Sequence, residues 1–191
     1  MRLPGMSTVM AHLDQLIQIH EEALSPQTCQ DLIEIFEANE DKQEFVDREK
    51  KPCFTQFNLT EHSADYKALH NQLIRNTQEY RDGYFEFIDR RVFPDTHAFE
   101  QFRIKRYNPG GDERFDTHVD VIDHPTARRF LSFMWYLNDV DEGGLTVFDD
   151  LSVKPQTGKL IIFPPLWMFP HRGEAPISNP KYILSTYLHY K

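Results

Sequence analysis

The sequence predicts an α+β, mainly β fold, with helices gathered at the N-terminal end and the strands closed into a β-sandwich, jelly roll or barrel. Three observations carry this. Apolar residues recur at helical spacing before about residue 99 and alternate with polar ones after it. The alternating stretches are separated by turn formers such as Asn108-Pro109-Gly110-Gly111 and Pro155-Gln156-Thr157-Gly158. The length, 191 residues, fits one domain with a sizeable core. Residues 1–191 are therefore expected to form a single domain, with about 1–98 as helical support carrying edge strands and about 99–191 as the β core.

In chain order, Leu16-Ile17-Gln18-Ile19-His20 reads as a short strand. Ser25-Pro26 then opens a helix, with Ser25 as N-cap and Pro26 in the first helical position. Cys29, Leu32, Ile33 and Phe36 fall on one of its faces. The charged run 38–51 reads as a loop, and 53–59 as a strand. After Glu61 a second amphipathic helix is expected to about Tyr80, with Tyr66, Leu69, Leu73 and Tyr80 as its apolar stripe. Strands follow at 102–107, 114–121, 130–137, 145–148, 159–163 and 182–190. The loops at 40–51 and 120–127 are the expected mobile lids, because they are charged or turn-rich.

The formal charge is −9, and no basic face is evident to meet a phosphate backbone, which argues against nucleic acid as a partner. A peptide substrate would on this balance be basic or neutral. No run of 18 apolar residues is present, so no membrane span is expected. Met1-Arg2-Leu3-Pro4-Gly5-Met6 lacks the apolar segment of a secretory signal, so a cytoplasmic location is expected. Cys29 and Cys53 are too few for a disulfide framework or a thiolate metal site. Metal chemistry would have to use His and carboxylates. Oligomeric state is not legible.

His118-Val119-Asp120 lies in one of the expected strands, where residues two apart project from the same face. Alone the pattern is weak. It gains weight from His171, placed 53 residues later in His171-Arg172-Gly173. Two His and one carboxylate on one face of a metal, with open positions opposite, is the arrangement of non-haem Fe(II) oxygenases. Lys181 follows His171 by ten residues and shares a strand face with Ile183, Ser185 and Tyr187. A lysine aimed into a barrel is costly unless it meets an anion, and a dicarboxylate co-substrate would supply one.

The combination His118-x-Asp120, Arg129-x-x-Ser132-x-x-x-Tyr136-Leu137-Asn138, Glu142-Gly143-Gly144-x-Thr146-x-Phe148, His171-x-Gly173 and Lys181 resembles the 2-oxoglutarate- and Fe(II)-dependent dioxygenases, and within them the prolyl 4-hydroxylase-like branch. The resemblance covers residues 102–191, and Leu24-Ser25-Pro26 resembles the family's usual start. It implies a double-stranded β-helix, or jelly roll, with N-terminal supporting helices. It implies that His118, Asp120 and His171 ligate Fe(II) and are the catalytic set, and that Lys181 holds the distal carboxylate of 2-oxoglutarate with Tyr107 as a hydrogen-bond donor. Ser132, where the family often has Thr, would line the co-substrate pocket. Arg129 and Tyr187 would face the substrate, Tyr187 standing where the prolyl branch often carries Trp. The implied cofactors are Fe(II), 2-oxoglutarate and O2, with ascorbate as reductant. The implied reaction is decarboxylation of 2-oxoglutarate to succinate and CO2 coupled to hydroxylation of an unactivated C–H bond, first of all in a prolyl residue of a peptide or protein.

A free amino acid or other small metabolite is the alternative substrate, and a metal- or sugar-binding jelly roll without activity is the non-enzymatic one. Arg128 rivals Arg129 by adjacency. Asn138-Asp139-Val140-Asp141-Glu142-Gly143 lacks the alternate oxygen ligands of a calcium loop and reads as a turn. His12, His20, His62, His70, His97, His124 and His189 have no partner at ligand spacing and read as surface or packing residues.

Overall fold

The computed structural model describes residues 13–48 and 52–191. His12, the Met1-to-Met6 segment and the end of the 40–51 run lie outside the described residues. A 3-10 turn at Leu13–Leu16 leads into β1 (Gln18–His20) and helix α1 (Pro26–Glu37). A 3-10 turn at Glu40–Lys42 precedes β2 (Glu44–Asp47) and β3 (Cys53–Asn58), and α2 spans Lys67–Ile88. Then come β4 (His97–Phe99), β5 (Arg103–Tyr107), β6 (Phe115–His118), β7 (Arg129–Tyr136), β8 (Thr146–Phe148), β9 (Leu151–Val153), β10 (Leu160–Phe163), β11 (His171–Gly173) and β12 (Lys181–Tyr190).

The strands form two antiparallel sheets. The larger has the order β1-β10-β7-β12-β5-β3-β2, with β4 paired to β12, and the smaller runs β6-β11-β8-β9. Alternation along each large-sheet strand divides its side chains between two cores. Phe133, Trp135 and Leu184 meet Leu32 and Phe36 of α1 and Leu73 and Phe85 of α2. Tyr136, Ile183 and Phe163 turn the other way, onto Phe148 and Val153 of the small sheet. The helices therefore cover the outer face of the large sheet, and the space between the sheets is left for a site. This is the jelly-roll architecture expected, with the N-terminal helices as its support.

Helix α1 starts where expected. The Ser25 hydroxyl accepts from the Thr28 amide at 3.1 Å, and Pro26 follows it. At its far end Glu37 accepts from Arg106 at 2.9 Å and from the Tyr182 hydroxyl at 2.6 Å, which ties the helix to β5 and β12.

Four expectations need correction. Helix α2 begins at Lys67 and continues to Ile88 instead of ending near Tyr80, because Tyr84 and Phe85 prolong its buried stripe and Phe85 stacks on Phe93 at 4.0 Å. The 38–51 run is not all loop, since β2 pairs with β3 at the sheet edge; an edge strand tolerates the polar composition that hid it. Within 114–121 only Phe115–His118 is strand, and Asp120 lies in the bend beyond it. Strands β4, β9 and β11 were not anticipated; each is three residues long, too short to show a period. No helix among the described residues is long and apolar enough to cross a membrane.

Candidate active site

His118 is the last residue of β6 and His171 the first of β11, and the two stand directly opposite in the antiparallel register. Their rings are 4.3 Å apart. Each imidazole is oriented by its own backbone: His118 donates from Nδ1 to the Asp116 carbonyl at 2.8 Å, and His171 from Nδ1 to the Phe169 carbonyl at 3.1 Å. A carbonyl only accepts, so the proton sits on Nδ1 and each Nε2 keeps its lone pair for a ligand. Phe115 stacks on His118 at 3.4 Å and 6°, fixing the ring plane.

Asp120 completes the group from the bend after β6, so its convergence comes from that bend and not from strand alternation. The Val121 amide donates to the Pro165 carbonyl at 3.1 Å, and Arg129 donates to the Asp120 carbonyl at 3.2 Å. These contacts bring Oδ1 to 3.6 Å from His118 Nε2 and Oδ2 to 3.8 Å from His171 Nε2. The three donor atoms lie within 4.8 Å of one another. The separations are too long for hydrogen bonds and suit three groups aimed at one point.

The electrostatics agree with a cation between them. Burial raises the Asp120 carboxyl, but the facing imidazoles outweigh it and leave its pKa below the ordinary value. Burial lowers His171, keeping it in the neutral form a metal ligand needs. Asp120 Oδ2 is buried with no hydrogen-bond partner among the described residues, an arrangement that costs about 1–3 kcal/mol for an acceptor left alone. A divalent ion at the shared point would satisfy it, and a His/His/carboxylate donor set suits Fe(II).

From the triad a cavity runs between the sheets to Lys181, Tyr107, Ser132 and Thr146. Lys181 opens β12 opposite Tyr107 of β5 and is 3% exposed. Its ammonium donates to the Gly144 carbonyl at 2.7 Å and lies 5.5 and 5.4 Å above the rings of Tyr107 and Tyr136. Burial pushes it down to about 7. No carboxylate pairs with it among the described residues, so a dicarboxylate spanning from the metal point would supply the missing counter-charge. The Tyr136 hydroxyl is already engaged, donating to Thr146 Oγ1 at 2.7 Å.

The residues expected at the substrate side sit at the mouth. Tyr187 lines both the inner cavity and the groove outside it. Arg129 lines the same mouth, while Arg128 is exposed and does not line it. The Arg129 guanidinium forks onto Glu100 at 2.8 and 2.9 Å and stacks 4.2 Å over the Tyr187 ring. It therefore braces Asp120 and Tyr187 and has little charge free for a ligand. The other histidines within the described residues pack or pair away from the triad: His62 stacks on Phe57, His70 meets Phe102 edge-on, and His97 contacts Arg81. Asp139 in the 138–143 turn accepts from the Thr157 amide and hydroxyl at 2.7 and 2.9 Å, a structural use of that carboxylate.

Two contributors were not anticipated. Phe115 could have been found only with the register of β6 known. Lys105 lines the same cavity as the triad, and its signal was available: it is two residues from Tyr107 on β5, so alternation sends both side chains inward.

Residues 102–189 match the family model of the 2OG-Fe(II) oxygenase superfamily. This stretch is less than half of the chain, and over it the chain resembles the 2OG-Fe(II) oxygenases. Among curated proteins it is similar to the probable prolyl 4-hydroxylase 9 of Arabidopsis thaliana, at 31% identity over 46% of this chain and 39% of that protein. The chain spans less than half the length of the curated relatives it matches. Among solved structures it shares its fold with the viral collagen prolyl hydroxylase of Paramecium Bursaria Chlorella virus-1 in complex with 2OG, with a TM-score of 0.65, 20% identity, and 92% of this chain and 96% of that one covered. A second match is the Trichoplax adhaerens prolyl hydroxylase in complex with a hypoxia inducible factor oxygen degradation domain peptide fragment, with a TM-score of 0.69, 14% identity, and 91% and 83% covered.

Proposed function

We propose that the protein is a 2-oxoglutarate- and Fe(II)-dependent hydroxylase whose substrate is a prolyl residue of a peptide or protein. The observation that carries the reading is the triad: two Nε2 atoms, freed by Nδ1 bonds to backbone carbonyls, facing a buried Asp120 oxygen that has no hydrogen-bond partner among the described residues.

His118, Asp120 and His171 would hold the iron. Lys181 would pair with the far carboxylate of 2-oxoglutarate, with Tyr107 beside it and Ser132 on the cavity wall. When bound, iron and 2-oxoglutarate supply the oxidising chemistry, with ascorbate as auxiliary reductant. The chain's own work is positional. Three side chains holding the iron would leave positions on it for co-substrate and dioxygen. The apolar rings of Phe115, Phe148 and Phe163 around the imidazoles keep water from the ligands, and Tyr187 offers an aromatic surface at the mouth where a prolyl ring can rest.

The test is succinate release from 2-oxoglutarate that depends on both iron and a prolyl peptide, with the peptide gaining the mass of one oxygen atom. Absence of coupling across a broad peptide panel, with turnover on free amino acids instead, would transfer the activity to a small-molecule substrate.

A further inference from the structure

We infer that the substrate carries a carboxylate close to the carbon that is hydroxylated, and that Lys105 is the specificity residue that reads it. The inference rests on the hydroxylase reading above and adds the substrate's charge to it.

Along β5 the residues facing the cavity are Tyr107, Lys105 and Arg103, from the deep end toward the surface, and their partners on β12 are Lys181, Ile183 and Ser185. Lys105 is thus one alternation, about 7 Å, nearer the mouth than the Lys181–Tyr107 pair. It lines the inner cavity together with His118 and Asp120, and also the groove that opens from them to the surface. A ligand that approaches the triad along this groove passes it.

The opposing charge that Lys105 feels is that of Asp120, which lies beyond ion-pair distance and which a metal would claim. The Lys105 ammonium rests 5.1 Å over the Phe54 ring, and no carboxylate pairs with it among the described residues. Burial lowers it to about 8.

The rest of the groove reinforces the sign. Arg48 and Arg103 line it without an ion-pair partner among the described residues, and the Arg103 guanidinium donates only to the neutral Gln101 amide oxygen. Arg129 is consumed by Glu100. Two acidic residues line it as well: Asp120 faces the two imidazoles, and Asp123 accepts from the Thr126 hydroxyl and amide and keeps its charge. A chain of net charge −9 therefore places more cationic than acidic side chains at the entrance to its site, Arg48, Arg103, Lys105 and Arg129 against Asp120 and Asp123. A basic substrate would be repelled there and an apolar one would bury Lys105 unpaired. A carboxylate would gain a charge-assisted hydrogen bond, worth about 10- to 100-fold in affinity.

The experiment compares acetylated, amidated prolyl peptides identical but for one residue beside the proline, Glu, Gln or Lys. Two further arms carry the carboxylate elsewhere: the Gln peptide ending in a free carboxylate, and free proline. Binding to the Mn(II)- and 2-oxoglutarate-loaded protein is followed by calorimetry, so no turnover is needed. The Glu peptide is expected to bind about tenfold or more tightly than the Gln peptide, and the Lys peptide most weakly. Lys105→Met should erase the difference, Lys105→Glu invert it and Lys105→Arg retain it, with 2-oxoglutarate affinity unchanged in Lys105→Met. A gain confined to the free-carboxylate arms and lost in Lys105→Met would support the same residue reading a chain end. Equal binding of all peptides, a preference that survives Lys105→Glu, or a loss of 2-oxoglutarate affinity instead of peptide affinity would overturn the inference. Hydroxylation of every peptide with equal efficiency would overturn it while leaving the hydroxylase reading standing, and charge-dependent binding without any turnover would do the opposite.

Discussion

Each triad residue is held by a bond to something other than a ligand, and that predicts how substitutions separate. Asp120→Ala removes the carboxylate both imidazoles face, so iron retained after dialysis should fall to background, as it should for His118→Ala. Lys181→Ala should keep the iron and raise the 2-oxoglutarate KM about 10- to 100-fold, the size of one charge-assisted bond. An unchanged KM would remove Lys181 from that role. Lys181 also sets a pH dependence. Its ammonium is depressed to about 7 in the fold, against about 10.4 in an unfolded chain, so between those values the unfolded state binds the extra proton. Stability conferred by the site therefore rises with pH across that window, and the cost of the buried charge is felt below it. The stability difference between wild type and Lys181→Met, from urea unfolding at pH 6.5 and 9, should shrink in that direction. 2-Oxoglutarate needs the charged form, so its affinity should fall by up to tenfold per pH unit above about 7; a flat profile would count against the pairing. At this scale the sequence was most informative where chemistry is scarce. His118, Asp120, His171 and Lys181 stand out by residue type and spacing. Phe115 does not, because its importance depends on the strand it opposes, and Lys105 shows only through its alternation with Tyr107 on β5.

Among the elements, the turn at 138–144 deserves a direct experiment because it delivers the Gly144 carbonyl to Lys181. Gly143 has φ +75° and Gly144 φ +69°, and a Cβ on Gly143 would stand 2.6 Å from the Ala175 carbonyl oxygen and 2.9 Å from the Ile177 amide. Gly143→Ala should cost about 1–3 kcal/mol of stability and raise the 2-oxoglutarate KM as the turn shifts, measured by thermal unfolding and steady-state kinetics. Leu32→Ala, in the α1 face buried against the large sheet, should cost about 2–5 kcal/mol and leave the KM unchanged. The strands legible beforehand were β1, β3, β5, β6, β7, β8, β10 and β12, and the clearest, β5, β7, β10 and β12, are those whose two faces meet different surroundings. The others were hidden for physical reasons: β2 is a polar edge strand, and β4, β9 and β11 are set by pairing with neighbours, not by any pattern of their own. Helix α2 outran its expected end because packing by Tyr84 and Phe85 overrides the poor helix formers Asp82 and Gly83.

For the whole molecule, the fold sets the inner face of the large sheet against the small sheet around the ligand cavity, with the two helices covering the large sheet from behind. Ligands that bind only this closed arrangement should stabilise all of it. Mn(II) with 2-oxoglutarate at about 100 times its Kd should add about 2.7 kcal/mol, which for a chain of this size is a Tm rise of about 5–10 °C, absent in His118→Ala. Net charge was the least transferable of the sequence readings. The −9 total favours a basic or neutral peptide at long range, whereas the groove itself gathers cations, since a sum over the chain is blind to where the charges stand. Strand β12 has a consequence at this scale too. It runs unbroken from Lys181 to Tyr190, paired with β5, β7 and β4, and carries the deep anchor at its first residue and the aromatic lip six residues on. It is a ruler about 20 Å long between those marks. Loops can lengthen or change chemistry without moving either mark, so substrate range is free to drift at the rim while the depth of the co-substrate seat stays constant.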